Sequence, residues 1–198
     1  MTTDHPFPLI SGHLSFDLVN TEVVRHGTRY DLFNSEEDVI NWVMVLLDQS
    51  YLHQQQLSPD IETWAAKGLP ILQKMRSFLR EGYERMADGE GLPSRWVNHL
   101  EDLIEKAPLA YQVINGELLP VPVGKPVDAL ISLIAFDALH LFATDKLTSV
   151  HRCANPDCVL LFMNTSGRRK WCSMKICGNR EKVSRHQHRK KKNIENIT

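Results

Sequence analysis

Apolar residues recur at helical spacing from Leu14 to about Lys106. Leu14, Leu18, Val19 and Val23 predict a short amphipathic helix over 14–24. Asn34-Ser35-Glu36-Glu37 reads as a helix start, with a capping side chain, a carboxylate three positions on and acid in the first turn. The helix it opens carries Val39, Ile40, Val43, Met44, Leu46 and Leu47. Ser58-Pro59-Asp60 repeats the signal with proline at the first helical position, and Gly68 is expected to close that segment. A longer helix is predicted over 71–87, with Leu72, Met75, Phe78 or Leu79, and Tyr83 on its apolar face, stopped by Asp88-Gly89-Glu90-Gly91. Trp96, Val97, Leu100, Leu103 and Ile104 mark another over 94–106.

The pattern then changes. Asn115-Gly116 between Tyr111–Ile114 and Glu117–Leu119 is a hairpin signal, because both turn residues tolerate the positive φ of a type I′ turn. Pro120, Pro122 and Pro126 make the second strand short or an edge. From Val127 to Thr144 the chain is apolar nearly all round, the pattern of a central helix. Ser132, Asp137 and His140 break this run, so no membrane span is expected and the chain should be soluble. The fold class is α+β, mostly α.

Charge divides the chain. Residues 151–198 hold 12 Lys/Arg against 3 Asp/Glu, a net of +9, which leaves 11 against 21, a net of −10, for residues 1–150. The basic end contains every cysteine of the chain, Cys153, Cys158, Cys172 and Cys177, spaced C-x4-C-x13-C-x4-C. Two disulfides would need an oxidising compartment, and no basic leader with an apolar core begins the chain, so a cytoplasmic protein with reduced thiols is expected. Four thiolates close the shell of one structural Zn²⁺, whereas a catalytic zinc keeps a position open for water. Val159–Met163, a polar turn at Asn164–Gly167, and Arg168-Arg169-Lys170-Trp171 predict two strands between the cysteine pairs. A helix should then run from Cys172 towards Lys192. Knuckle, hairpin, knuckle and helix is the order of a treble-clef finger.

On that helix Lys175, Asn179, Lys182, His186 and Arg189 share one side, Arg180, Arg185 and Lys190 widen the charge, and Ile176 and Val183 sit seven apart on another side. So basic a surface is suited to phosphates, whose neutralisation releases condensed cations. Arg168, Arg169 and Lys170 add a basic turn. Asn179 and Arg180 match adenine and guanine edges, or alternatively brace the cysteine loop.

Trp171-Cys172-Ser173-Met174 followed by Cys177-Gly178-Asn179-Arg180, then Lys182-Val183 and Arg185-His186, resembles the CGNR zinc finger family. Leu14-Ser15-Phe16-Asp17-Leu18-Val19-Asn20-Thr21 is similar to the opening motif of the ABATE domain, which precedes this finger in proposed stress-induced transcription regulators. The resemblance implies a largely helical, ligand-binding domain over 1–147 and a DNA-binding treble-clef finger over 148–198. Asn164-Thr165-Ser166 and a short basic turn stand where the family usually has Asp-Thr-Ser and a longer one.

Outside the finger, Asp17 and Asn20, one turn apart, together with Arg25 are candidates for a small-molecule site; the structural alternative is that they cap or bridge helices. No H-E-x-x-H, G-x-S-x-G or P-loop is present, and no enzyme is expected. The expected function is a DNA-binding transcription regulator, nucleoid-associated when on DNA, with an N-terminal sensor for a ligand or partner. The alternatives are an RNA-binding zinc protein and an interaction module whose basic tail docks on an acidic surface such as Glu36, Glu37, Glu101, Asp102 and Glu105. No heptad seam specifies an oligomeric state.

Overall fold

A computed structural model of the chain describes residues 5–25, 27–57 and 60–183. Arg185, His186, Arg189 and Lys190, the distal part of the basic helix, and the Ser58-Pro59 helix start lie outside the described residues. Five helices, α1 (Leu14–Val19), α2 (Glu36–Asp48), α3 (Ile61–Ala87), α4 (Ser94–Glu105) and α5 (Pro126–Ala143), form the bulk of the fold. Three antiparallel hairpins, β1 (Glu22–Arg25) with β2 (Thr28–Asp31), β3 (Leu109–Ile114) with β4 (Glu117–Pro122), and β5 (Val150–Arg152) with β6 (Leu161–Met163), are set around them. The chain is α+β and mostly α.

Three local expectations match closely. Ser35 caps α2, its Oγ accepting from the Asp38 amide at 3.3 Å while Asp38 accepts from the Ser35 amide at 2.9 Å. Asn115 and Gly116 hold φ values of 52° and 85°, and the turn pairs Ile114 with Glu117. Pro120 and Pro122 are accommodated because β4 has β3 as its one strand partner among the described residues. At 18 residues and a mean hydropathy of 1.6, α5 is long and apolar enough to cross a membrane, but here α1, α3 and α4 pack against it.

Two expectations are corrected. The helix read over 14–24 stops at Val19, and Val23 belongs to β1, paired with Tyr30. Its apparent helical spacing is overridden by β-branched Thr21, Val23 and Val24, which suit a strand. The two segments expected on either side of Gly68 are one 27-residue helix, α3. Gly68 lets the Trp64 ring lie flat on the helix, 3.1 Å from where a Cβ would stand. Pro70 removes one helical hydrogen bond, but Ala66, whose carbonyl it frees, is exposed and can be solvated.

Trp42, Phe16, Tyr83, Phe33, Leu72 and Ile134 lie at the centre of the main core, with Phe16 stacked on Tyr83 at 4.3 Å between ring centres. Val150 and Leu161, from β5 and β6, belong to this same core. A second, smaller core holds Leu160, Phe162, Cys153, Cys172 and Cys177. β6 therefore alternates between the two, Leu161 facing the helices and Phe162 facing the cysteines.

Polar groups lock this junction. Both ends of the Asn20 amide pair with the Leu161 backbone, the Nδ2 donating to its carbonyl at 3.0 Å and the Oδ1 accepting from its amide at 3.1 Å. Arg80 of α3, 7% exposed, donates to the carbonyls of Val19 at 2.6 Å and Val159 at 2.9 Å. Its Nε lies 2.8 Å from Glu22 as an ion pair without hydrogen-bond alignment. One turn earlier, Arg76 holds Asp31 through two contacts of 2.6 and 2.5 Å and Thr21 through one of 2.9 Å. Burial pushes the Asp31 carboxyl upward, but hydrogen bonds from Arg76 and the Phe33 amide outweigh it and hold the group below the ordinary carboxylate range.

Arg80→Met keeps the apolar stem but leaves the buried carbonyls of Val19 and Val159 without their donor and takes from Glu22 one of its two cations among the described residues, Arg29 being the other. It is expected to lower unfolding free energy by about 3 kcal/mol or more in urea denaturation; an unchanged midpoint would remove Arg80 from the junction.

Candidate metal centre and its basic surface

The first cysteine pair sits at the tip of the β5–β6 hairpin. Cys153 follows β5, and the chain turns through Asn155-Pro156-Asp157, where the Cys158 amide donates to the Asn155 carbonyl at 3.0 Å and the Asp157 amide to the Asn155 Oδ1 at 3.0 Å. This corrects the strand pairing expected from sequence. β6 pairs backwards with β5, His151 opposite Phe162, and Arg168–Lys170 is not a strand. The Asn164 side chain closes the polar turn instead, accepting from the Arg169 amide and donating to the Arg169 carbonyl, each at 3.1 Å. One amide side chain thus supplies the two bonds a strand pair would have made.

The second cysteine pair opens a wide π-helical turn, Met174–Gly178, continued by helical residues 179–183. Ser173 caps it, its Oγ accepting from the Ile176 amide at 3.0 Å. Ile176 packs on the small core, whereas Val183 is exposed, so the helix leaves its support within two turns.

All four Sγ atoms lie within 4.8 Å of one another, and Cys158 and Cys172 are 3.8 Å apart. A ZnS₄ tetrahedron with bonds of about 2.3 Å has edges of about 3.8 Å. The donor chemistry and the spacing fit one structural zinc ion, with no coordination position left for a reacting water. The sulfurs also receive the bonds that ligand thiolates accept: the Cys172 amide donates to Cys153 at 3.4 Å, and Asn155 Nδ2 to Cys177 at 3.6 Å.

The basic residues separate into two groups. Arg169 turns inward, its guanidinium 4.7 Å over the Phe162 ring and donating to the carbonyls of Trp171 and Cys172. It braces the second knuckle. Arg152 is held by Asp88 at the end of α3 through two contacts of 2.8 Å. By contrast Arg168, Lys170, Lys175, Asn179, Arg180 and Lys182 are exposed. The bracing considered for Asn179 and Arg180 is performed by Asn155, Arg169 and Ser173, which sequence reasoning missed. Asn155-Pro156 was legible as a turn, and Ser173, three residues before Ile176, as a cap.

Asp17, Asn20 and Arg25 are not brought together. Asn20 is occupied by Leu161. Asp17 is 1% exposed, accepts from Ser11 Oγ at 2.9 Å and leaves its Oδ2 without a hydrogen-bond partner among the described residues. Burial pushes its carboxyl up to about 7. Arg25 is exposed and lines a cleft of about 670 Å³ with Asn155, Asp157 and Arg180, which places it beside the finger.

A helical domain carrying a cysteine-clustered zinc finger at its C-terminal end is the class these features define. Residues 12–145 match the family model ABATE, described as "Putative stress-induced transcription regulator", and residues 150–190 match the CGNR zinc finger. The chain belongs to the ABATE family and carries a CGNR finger. No curated protein matches the chain.

The metal site predicts one zinc per chain by elemental analysis, lost in Cys177→Ser. Asn155→Ala should retain stoichiometry but weaken zinc affinity by about tenfold in chelator competition. Asp17 sets a pH dependence. Because its folded pKa is raised, its charge costs nothing near pH 4, the cost grows as pH climbs towards 7, and it is complete above that. Asp17→Asn should therefore be more stable than the native chain at pH 8, by up to about 4 kcal/mol, and nearly equal to it near pH 4, as measured by chemical denaturation.

Proposed function

We propose that the protein is a DNA-binding transcription regulator in which residues 148–198 form the DNA-contacting finger and residues 1–147 a sensor domain. The observation that carries this reading is the exposed cationic surface built on the zinc site: Arg168, Lys170, Lys175, Arg180 and Lys182 are exposed, and 151–198 has a net charge of +9. Phosphates are the counter-charge such a surface fits, and the zinc holds its two knuckles in fixed relation. Arg185, Arg189 and Lys190 extend the same sequence pattern. Asn179, exposed beside Arg180 and with bracing supplied by other residues, is the candidate for base contact. Arg169 is committed to the protein and is assigned no phosphate. The regulator is non-enzymatic in this reading, with the metal as a staple.

Zinc-loaded full-length protein should bind random duplex DNA with an affinity that falls steeply with salt, measured by fluorescence anisotropy. Lys170→Glu with Lys182→Glu should weaken binding and reduce the slope of log affinity against log salt by about 2, with zinc content unchanged. No binding to duplex DNA at about 50 mM salt, with binding to duplex RNA retained, would replace this reading by the RNA one.

A further inference from the structure

A groove of about 850 Å³ lies between α3, α4 and the start of α5, far larger than a water site and within the range of ordinary small-molecule pockets. Its floor is apolar: Met75, Phe78, Trp96, Leu103 and Ile131, with Ile71 left 43% exposed at the edge. Trp96 lies nearly parallel to Phe78, with ring centres 6.0 Å apart. It lies so close to α3 that a Cβ on Gly82 would meet its Nε1 at 2.3 Å. Glycine at that point lets the indole pack flush against α3 beneath the groove, where it is 3% exposed.

The rim has the opposite charge to its surroundings. Residues 1–150 contain 11 Lys/Arg and 21 Asp/Glu, yet Lys74, Arg85, Arg95 and Lys106, four of the 11, line this groove against two of the 21, Glu81 and Asp128. Arg85 is paired with Glu90 at 3.0 Å. Lys74, Arg95 and Lys106 make no ion pair among the described residues. Cations concentrated over an aromatic floor, on a domain that is otherwise acidic, select a small anion with an apolar body. They also disfavour the chain's own basic C-terminal segment as occupant, since like charges would meet.

We infer that this groove is a binding site for a small amphipathic carboxylate, whose head pairs with Arg95, Lys106 and Lys74 while its aliphatic or aromatic body covers Ile71, Phe78 and Leu103, apolar lining residues that are not buried. The inference deepens the sensor half of the proposed function and rests on it for its regulatory sense. α3 supplies the connection: Met75, Phe78 and Gly82 face the groove, whereas Arg76 and Arg80, on the opposite side of the same helix, hold β2 and the segment leading into β6.

The test is calorimetric titration of the zinc-loaded full-length protein with decanoate and 2-naphthoate, against decanol and decyltrimethylammonium. One saturable site per chain is expected for a carboxylate, bound about tenfold or more tightly than decanol, with no saturation by the cation. The preferred carboxylate tells an aliphatic body from an aromatic one. Arg95→Glu with Lys106→Glu should weaken it about tenfold at unchanged zinc content and circular dichroism, and Ile71→Asp, an exposed change, should weaken it through the floor. Absence of saturable binding by either carboxylate, equal binding of the cation, or indifference to both variants would overturn the inference. Because ligand binding is read directly, failure of the finger to bind DNA leaves this result unaffected.

Discussion

A buried guanidinium holds the two parts of this protein in register. Arg80 is almost fully removed from water, and such a charge is tolerated only where acceptors replace the lost hydration. Its partners come from separate stretches of chain: the carbonyls of Val19 at the end of α1 and of Val159 just before β6 accept hydrogen bonds, and Glu22 of β1 supplies the opposite charge. The N–H donors of arginine are in a fixed plane, so the bonds its two terminal nitrogens make also orient the segments they touch. Asn20 completes the junction by treating the Leu161 backbone as a strand partner would. The finger is consequently seated on α3 through β5 and β6, with Leu161 and Val150 in the helical core.

Against that seat, the zinc centre has its own logic. Its core is too small to be stable on hydrophobic burial alone, consisting of Leu160, Phe162 and three cysteines with a few partly buried neighbours. Metal coordination supplies the missing cohesion, and the polar groups around it, Asn155, Asn164, Arg169 and Ser173, are all engaged with backbone or sulfur. Among the described residues of the finger, the charged side chains left exposed are cationic but for Asp157. The positive charges thus fall into two roles. Arginines 76, 80, 152 and 169 hold the structure together, and the remaining described cations of the finger face solvent.

α3 is the element shared by every part. At 27 residues it is long enough to present one side to β1, β2 and the finger, another to the main core through Leu72, Leu79 and Tyr83, and a third to the groove lined by Phe78 and Gly82. Its glycine and proline, which read as a boundary in sequence, instead permit close packing of Trp64 and a solvated gap in its hydrogen bonding.

Periodicity and local chemistry were sufficient for the elements that depend on neighbours in sequence. The Ser35 cap, the Asn115-Gly116 turn, the apolar α5 and the pairing of cysteines into knuckles each follow from residues within a few positions of one another. Spacing and thiolate chemistry alone made the four cysteines a zinc site. The tertiary structure decided the rest, because those outcomes turn on contacts between residues far apart in the chain. Asn20 and Arg80 could not be told from helix-surface polar residues until Leu161 and Val159 were placed beside them. Val23 keeps helical spacing and yet pairs as a strand, since Tyr30 offers it a ladder. Arg169 and Arg168 are adjacent and identical in sequence, and only the Phe162 ring and two carbonyls turn one inward and leave the other exposed.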